Sequence, residues 1–126
     1  MDSRASVEDY MAIGKKLRVL RKEGVLILGS GNIVHNLARV NWNMDGGYPW
    51  AEDFDDYIKS NVLSRNDENV IHFEQAGSSA SLAFTTLDHF APLLYVLGAS
   101  AETDHVHVFN DSCVLGALSM TSYLFE

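Results

Sequence analysis

Cysteine occurs once in the 126 residues, at Cys113, and proline only twice. One cysteine excludes an internal disulfide framework and a Cys-rich zinc site, and it suits a reducing compartment. With no activating partner beside it, that thiol reads as a packing group rather than a nucleophile. Cationic side chains are scarce too: Lys and Arg number 9 against 17 Asp and Glu, a net charge of −8. Little is left to grip a polyanion, so nucleic acid is not an expected partner. No apolar run approaches the roughly 18 residues of a membrane span, and the opening Met1-Asp2-Ser3-Arg4 lacks the charged-then-apolar order of a secretory leader. These absences predict a cytoplasmic chain with no membrane partner. Repeats, low-complexity stretches and proline-rich linkers are also missing, which leaves one domain over residues 1–126. What is present is 47% apolar and 10% aromatic residues, the composition of a packed globular chain.

Along the chain, helical and strand-like patterns alternate. Val7, Tyr10, Met11, Gly14, Leu17 and Leu20 recur at helical spacing, with Ser6 and Asp9 placed as a capping pair and Gly24 as the terminator. Residues 25–28, Val-Leu-Ile-Leu, form a short apolar run, as in a strand covered on both faces. Gly29-Ser30-Gly31-Asn32 then turns the chain, and residues 33–40 read as a helix. Residues 41–50 form an aromatic-rich loop with two readings, a lid over the core or a wall of a ligand pocket. A second helix is expected over about 51–65, broken by the polar residues 66–69. Thr86 looks like the N-cap of a further helix, with Asp88 in its first turn, Phe90, Leu93, Leu94 and Leu97 on its apolar face, and Gly98 at its end. Residues 105–110 and 117–125 read as closing strands joined through 111–116. This order predicts an α/β fold, a layered and mainly parallel sheet flanked by helices.

The glycine turn is the strongest local signal, because open α/β sheets place ligands where a strand's carboxyl end feeds a turn and a helix. Glycines there let backbone N–H groups approach a ligand closely. The turn lacks the third glycine of a dinucleotide fingerprint and the Gly-Lys-Ser/Thr of a phosphate loop, so a tight turn without a cofactor is the plainer reading. His35, one turn into the predicted helix, is placed to face the crevice as a base or metal ligand, or to serve structure alone. His89, at a predicted helix N-terminus beside Asp88, has a ligand role and a capping role open to it. His105 and His107 share a strand face and read as solvated, and His72 has no recognisable context.

Residues 20–37, Leu-Arg-Lys-Glu-Gly-Val-Leu-Ile-Leu-Gly-Ser-Gly-Asn-Ile-Val-His-Asn-Leu, resemble the central signature of the DODA-type extradiol aromatic ring-opening dioxygenases, the LigB-like class III family. Asp88-His89-Phe90-Ala91-Pro92-Leu93 resembles that family's His-Phe-x-Pro-Leu helix, and Gly116-Ala117-Leu118-Ser119-Met120-Thr121-Ser122-Tyr123 resembles its closing strand. The resemblance covers nearly the whole chain, but only the carboxyl-terminal half of the family's longer domain, whose amino-terminal half carries two metal-binding histidines. It implies half of a LigB-like (phosphorylase/hydrolase-like) domain, a zinc or non-haem Fe(II) cofactor, and ring opening of a catechol-type aromatic such as a dihydroxyphenylalanine-like compound. By the same resemblance His35 is the central metal-site or acid–base histidine, and His89 is the later histidine at the metal. Gly31, Asn32 and Asn36 then line the substrate pocket, with Asn36 orienting His35. The family usually writes His-Pro-x-Pro-Glu-His before this helix, whereas this chain has Phe84-Thr85-Thr86-Leu87-Asp88-His89, with phenylalanine in place of the first histidine.

Three functions compete at this point. One is an extradiol-dioxygenase-like metal enzyme, either as a truncated chain or as a half that pairs with another polypeptide supplying the missing ligands. A second is a non-catalytic module that associates with itself through an exposed apolar sheet face, so a homo-oligomer or a pairing with an amino-terminal half is expected. The third, a phosphate- or nucleoside-binding hydrolase, is disfavoured because the Gly29 turn holds no Lys or Arg.

Overall fold

Ser6 starts the first helix as the capping pattern predicts: its Oγ accepts from the Asp9 N–H at 3.2 Å, and its own N–H donates to Asp9 Oδ2 at 2.8 Å. The structure, a computed structural model, describes residues 4–126. Helix α1 (Val7–Leu17) buries Tyr10, Met11 and Gly14, and a 3₁₀ turn (Arg18–Glu23) continues it. Gly24 ends that turn in the left-handed region, φ 78°, its N–H bonded to the Arg21 carbonyl. Helix α2 (Pro49–Leu63) opens on a proline whose missing N–H costs nothing there, and it turns Ala51, Phe54, Ile58 and Val62 inward. Short helices α3 (Asp67–Ile71) and α4 (Ser78–Ala83) follow, then α5 (Ala91–Ala99), which lies across α1.

The strands are few and short. β1 (Val106–Phe109) pairs antiparallel with β4 (Ser122–Phe125), and β2 (Cys113–Val114) pairs antiparallel with β3 (Leu118–Ser119). Among the described residues no layered parallel sheet forms, contrary to the sequence expectation. The fold is α/β in content only, helices around two small antiparallel ladders. Parallel pairing survives as isolated bridges, His35 to Phe84 and Gly47 to Gly116.

Three local expectations are corrected, in each case because the partners present, or missing, among the described residues decide the segment's state. Residues 25–28 join no ladder, and Leu26 and Leu28 are 79% and 84% exposed instead of covered on both faces. The helix expected over 33–40 shrinks to one 3₁₀ turn (Leu37–Arg39), because the His35 and Asn36 N–H groups bond outward to the Ala83 and Ala117 carbonyls. Thr86 caps no helix: α5 begins at Ala91, and the Thr86 hydroxyl bonds Asp88 instead.

The core is built on aromatic rings. Phe54 and Phe90 are wholly buried, and Phe73 and Phe84 pack on them with ring centroids 5.2–6.3 Å apart. In the aromatic loop Tyr48 stacks on Trp50, which packs on the core, while Trp42 is 80% exposed. Cys113 is buried beside this core, and burial pushes its thiol up to about 12, which keeps it protonated and unreactive.

An acid inside the apolar stripe of α2 fastens the strands. Asp55, 2% exposed, accepts hydrogen bonds from Ser119 Oγ at 2.5 Å and Thr121 Oγ1 at 2.7 Å. Burial raises its carboxyl above the ordinary range, against the opposing pull of those two hydroxyls. The native state therefore holds the Asp55 proton more tightly than the unfolded chain. Its contribution to stability is greatest below the ordinary carboxylate pKa, about 3.9, and falls as pH rises through the raised native value. Asp55→Asn is expected to abolish that part of the pH dependence. Asp55→Ala, which strands both hydroxyls, is expected to cost about 2–4 kcal/mol. Urea unfolding at pH 4 and pH 7 checks both.

Candidate active site

Backbone bonds bring the two histidines of the sequence motifs together. The His35 N–H donates to the Ala83 carbonyl at 2.8 Å, the Ser119 N–H to the Val34 carbonyl at 2.9 Å, and the Asn32 N–H to the His89 carbonyl at 2.8 Å. His35 thus sits on an extended crossing between two segments rather than on a helix. His89 lies in the turn that leads into α5, where Pro92 occupies the first turn. Gly31 is what lets its segment and that turn touch: a Cβ added there would fall 2.1 Å from the His89 carbonyl oxygen.

The outcome is a face-to-face imidazole pair. The rings of His35 and His89 have centroids 3.5 Å apart and planes inclined by 13°. His35 is half-buried and His89 exposed. Desolvation, and then the neighbouring His89, lower the His35 pKa against the opposing effect of a backbone hydrogen bond. His35 is therefore neutral at neutral pH, with a lone pair available to a proton or a cation.

His89 lines a cleft of about 600 Å³, and His35, stacked on it, does not. Gly31, Asn32 and His89 line it where the polar groups converge, and Leu26, Leu93 and Val96 are among its apolar walls. The Asn32 amide nitrogen donates to the Ser119 carbonyl at 2.7 Å. Asn36, expected from sequence to join these residues, lies elsewhere: it is 5% exposed, its amide nitrogen donates to the Leu82 carbonyl at 2.7 Å, and it does not line the cleft. Phe84, at the position of the family's first histidine, belongs to the core, its ring stacked on Phe90. His105, just before β1, and His107 on it are exposed, with His107 bonded to Glu126, and His72 sits between Glu68 and Glu74. Among the described residues no group of three or more His, Cys, Asp or Glu is placed to hold a metal ion, and no helix is long and apolar enough to cross a membrane.

Sequence reasoning misses two supports of this site. Asp55 is legible as a carboxylate interrupting the buried spacing of Phe54, Ile58 and Val62, and through Ser119 and Thr121 it holds the strand that carries Asn32's acceptor. Arg21, whose signal is only that of a basic residue near a helix end, ties the chain ends of the cleft together. Its guanidinium donates to the carbonyls of Ala99 and Phe125 and pairs with Asp104 at 2.6 Å.

No family model matches the chain. Curated relatives do: it is 35% identical to a 4,5-DOPA dioxygenase extradiol of Escherichia coli K12, over 97% of this chain and 46% of that protein. It is 33% and 32% identical to proteins of the same name from Beta vulgaris and Portulaca grandiflora, over 92% of this chain and 43% of each. The crystal structure of an uncharacterized Escherichia coli K12 protein superposes with a TM-score of 0.89 at 34% identity, over 98% of this chain and 52% of that one. The chain thus spans about half the length of the proteins it matches.

Proposed function

We propose, from the premise that this chain is kin to the DODA-type extradiol dioxygenases over about half their length, that it forms the His35–His89 side of a metal-dependent site that opens a catechol-type ring. The observation that carries this reading is His89, stacked on His35, in the wall of a largely apolar cleft of about 600 Å³. An aromatic ring fits such walls, and its paired hydroxyls would lie toward the polar end at Gly31, Asn32 and His89.

The donors fit zinc or non-haem Fe(II) in kind, since neutral imidazole suits both. They do not fit in number: two histidines make a weak site, and further donors must come from another polypeptide segment. His89, the more exposed ring and the one that lines the cleft, would hold the ion, with the His35 ring stacked on it to fix its orientation. When bound, either ion would supply Lewis acidity toward the catechol hydroxyls, and iron alone would supply redox chemistry for ring opening. His35, kept neutral by burial, is suited to accept a hydroxyl proton as the catechol ionises. Asn32, which lines the cleft beside Gly31, would accept from the second hydroxyl through its amide oxygen.

The test is zinc titration by calorimetry on the chain and on His35→Ala and His89→Ala, with circular dichroism to confirm folding. One weak site is expected, with affinity reduced at least about tenfold, about 1.4 kcal/mol, in each variant. Wild-type protein that takes up no zinc, or binding unchanged in both variants, sinks the reading.

A further inference from the structure

We infer, on the reading that His35 and His89 form the site, that Asp55 and Ser119 are its positioning residues: the carboxyl on α2 fixes Ser119, and Ser119 fixes where Asn32 and His35 stand. Asp55 occupies a place that disfavours a carboxyl. It is 2% exposed on the helix face that buries Phe54, Ile58 and Val62, where an apolar side chain of similar size would serve stability at least as well. Among the described residues no ion pair joins it, since Lys59, one turn along α2, pairs with Asp56 and Asp111. Its partners are two neutral hydroxyls, Ser119 Oγ at 2.5 Å and Thr121 Oγ1 at 2.7 Å.

Three segments meet at Ser119. Its hydroxyl reaches α2, its carbonyl accepts from the Asn32 side-chain amide at 2.7 Å, and its N–H donates to the Val34 carbonyl at 2.9 Å. Leu118 beside it forms an antiparallel bridge with His35. The strand that carries these groups is a poor anchor by itself. β3 has two residues and pairs with the two of β2, a ladder too short to be stable alone or to fix its own register. A hydrogen bond to a buried position on a 15-residue helix supplies the fixed point. Thr121 provides the contrast. It holds the same carboxyl, yet its backbone N–H turns back to Ser119 Oγ at 3.2 Å and makes no bond to residues 32–35. Loss of the Ser119 link therefore frees the segment that carries Asn32 and His35, whereas loss of the Thr121 link weakens folding alone.

Ser119→Ala and Thr121→Val each remove one hydroxyl from Asp55, and comparing them tests this on the full chain. The readouts are the native-state NMR signals of the His35 imidazole and the Asn32 side-chain amide, taken without metal. His72, whose ring lies between Glu68 and Glu74, is the internal reference, and urea unfolding gives the stability of each variant. Ser119→Ala should move both signals and weaken zinc binding about tenfold, while Thr121→Val, with a similar loss of stability, should leave the signals in place and zinc binding within about twofold. Asp55→Leu should move the signals as Ser119→Ala does. Asp55→Asn, which keeps a carbonyl for the Ser119 hydroxyl, should return them to their wild-type positions. Signals unmoved in Ser119→Ala or Asp55→Leu, moved equally by Thr121→Val, or not recovered in Asp55→Asn would each overturn the proposal. A wild type that binds no zinc sinks the metal-site reading and leaves the metal-free signals to be read, so the two fail separately.

Discussion

Gly98→Val should lower folding stability by about 3 kcal/mol and the melting temperature by roughly 10 °C. The cause is the crossing of α1 and α5. A Cβ at Gly98 would fall 2.3 Å from the Met11 carbonyl oxygen and 3.1 Å from the Gly14 Cα, and one at Gly14 would fall 2.2 Å from the Tyr95 carbonyl oxygen. Both obstacles are backbone, so no change of rotamer relieves them. The helices must separate, and Tyr10, Met11, Leu94 and Leu97, now at most 3% exposed, lose part of their contact. Gly46→Ala is the matched control, since a Cβ there meets nothing within 4 Å, and it should stay within about 0.5 kcal/mol of wild type. Equal urea midpoints for Gly98→Val and Gly46→Ala would refute the close-crossing account.

Gly31→Ala should have the larger effect on the site. Its Cβ would press on the His89 carbonyl, the acceptor of the Asn32 N–H, and that bond is the one that ties the two histidine-bearing segments together. Relief requires the turn before α5 to move outward, which carries His89 off the face of His35. Zinc affinity is expected to fall more than about tenfold while stability falls by only about 1–2 kcal/mol. The imidazole NMR shifts of both histidines should move toward those of unstacked rings. Unchanged shifts, with the stacking intact, would mean that the turn absorbs the methyl elsewhere and that Gly31 is not what sets the pair.

Where the chain's own neighbours decide the conformation, the sequence is a good guide. Ser6 and Asp9 act within three residues of each other, Gly24 answers to its own φ, and the apolar spacing of α2 meets the core it implies. Residues 25–28 and 33–36 carry the composition of a covered strand and an amphipathic helix, but distant groups decide their state: Ala83, Ala117 and Ser119 capture the second, and nothing among the described residues covers the first. The parallel sheet fails with them. The site divides in the same way. His35 and His89 stand out by motif, yet their stacking depends on a glycine meeting a carbonyl 58 positions away, and no local pattern announces that. Asn36 groups with His35 by adjacency in sequence, whereas in extended backbone successive side chains leave on opposite sides.

The crossing of α1 and α5 also orders events in time. The first helix leaves the ribosome with its apolar face exposed, and the helix that covers it arrives only after residue 99 has been made. α1 cannot be consolidated early by local contacts, because its partner lies some 80 residues downstream and closing so long a loop must precede any reward. The capping box of Ser6 and Asp9 then has a kinetic use: it biases a solitary helix toward its final form during the wait. Synthesis halted before α5 should leave that helix unprotected, an open target for chaperones and proteases, and α1 should resist digestion only once residues 91–99 have emerged.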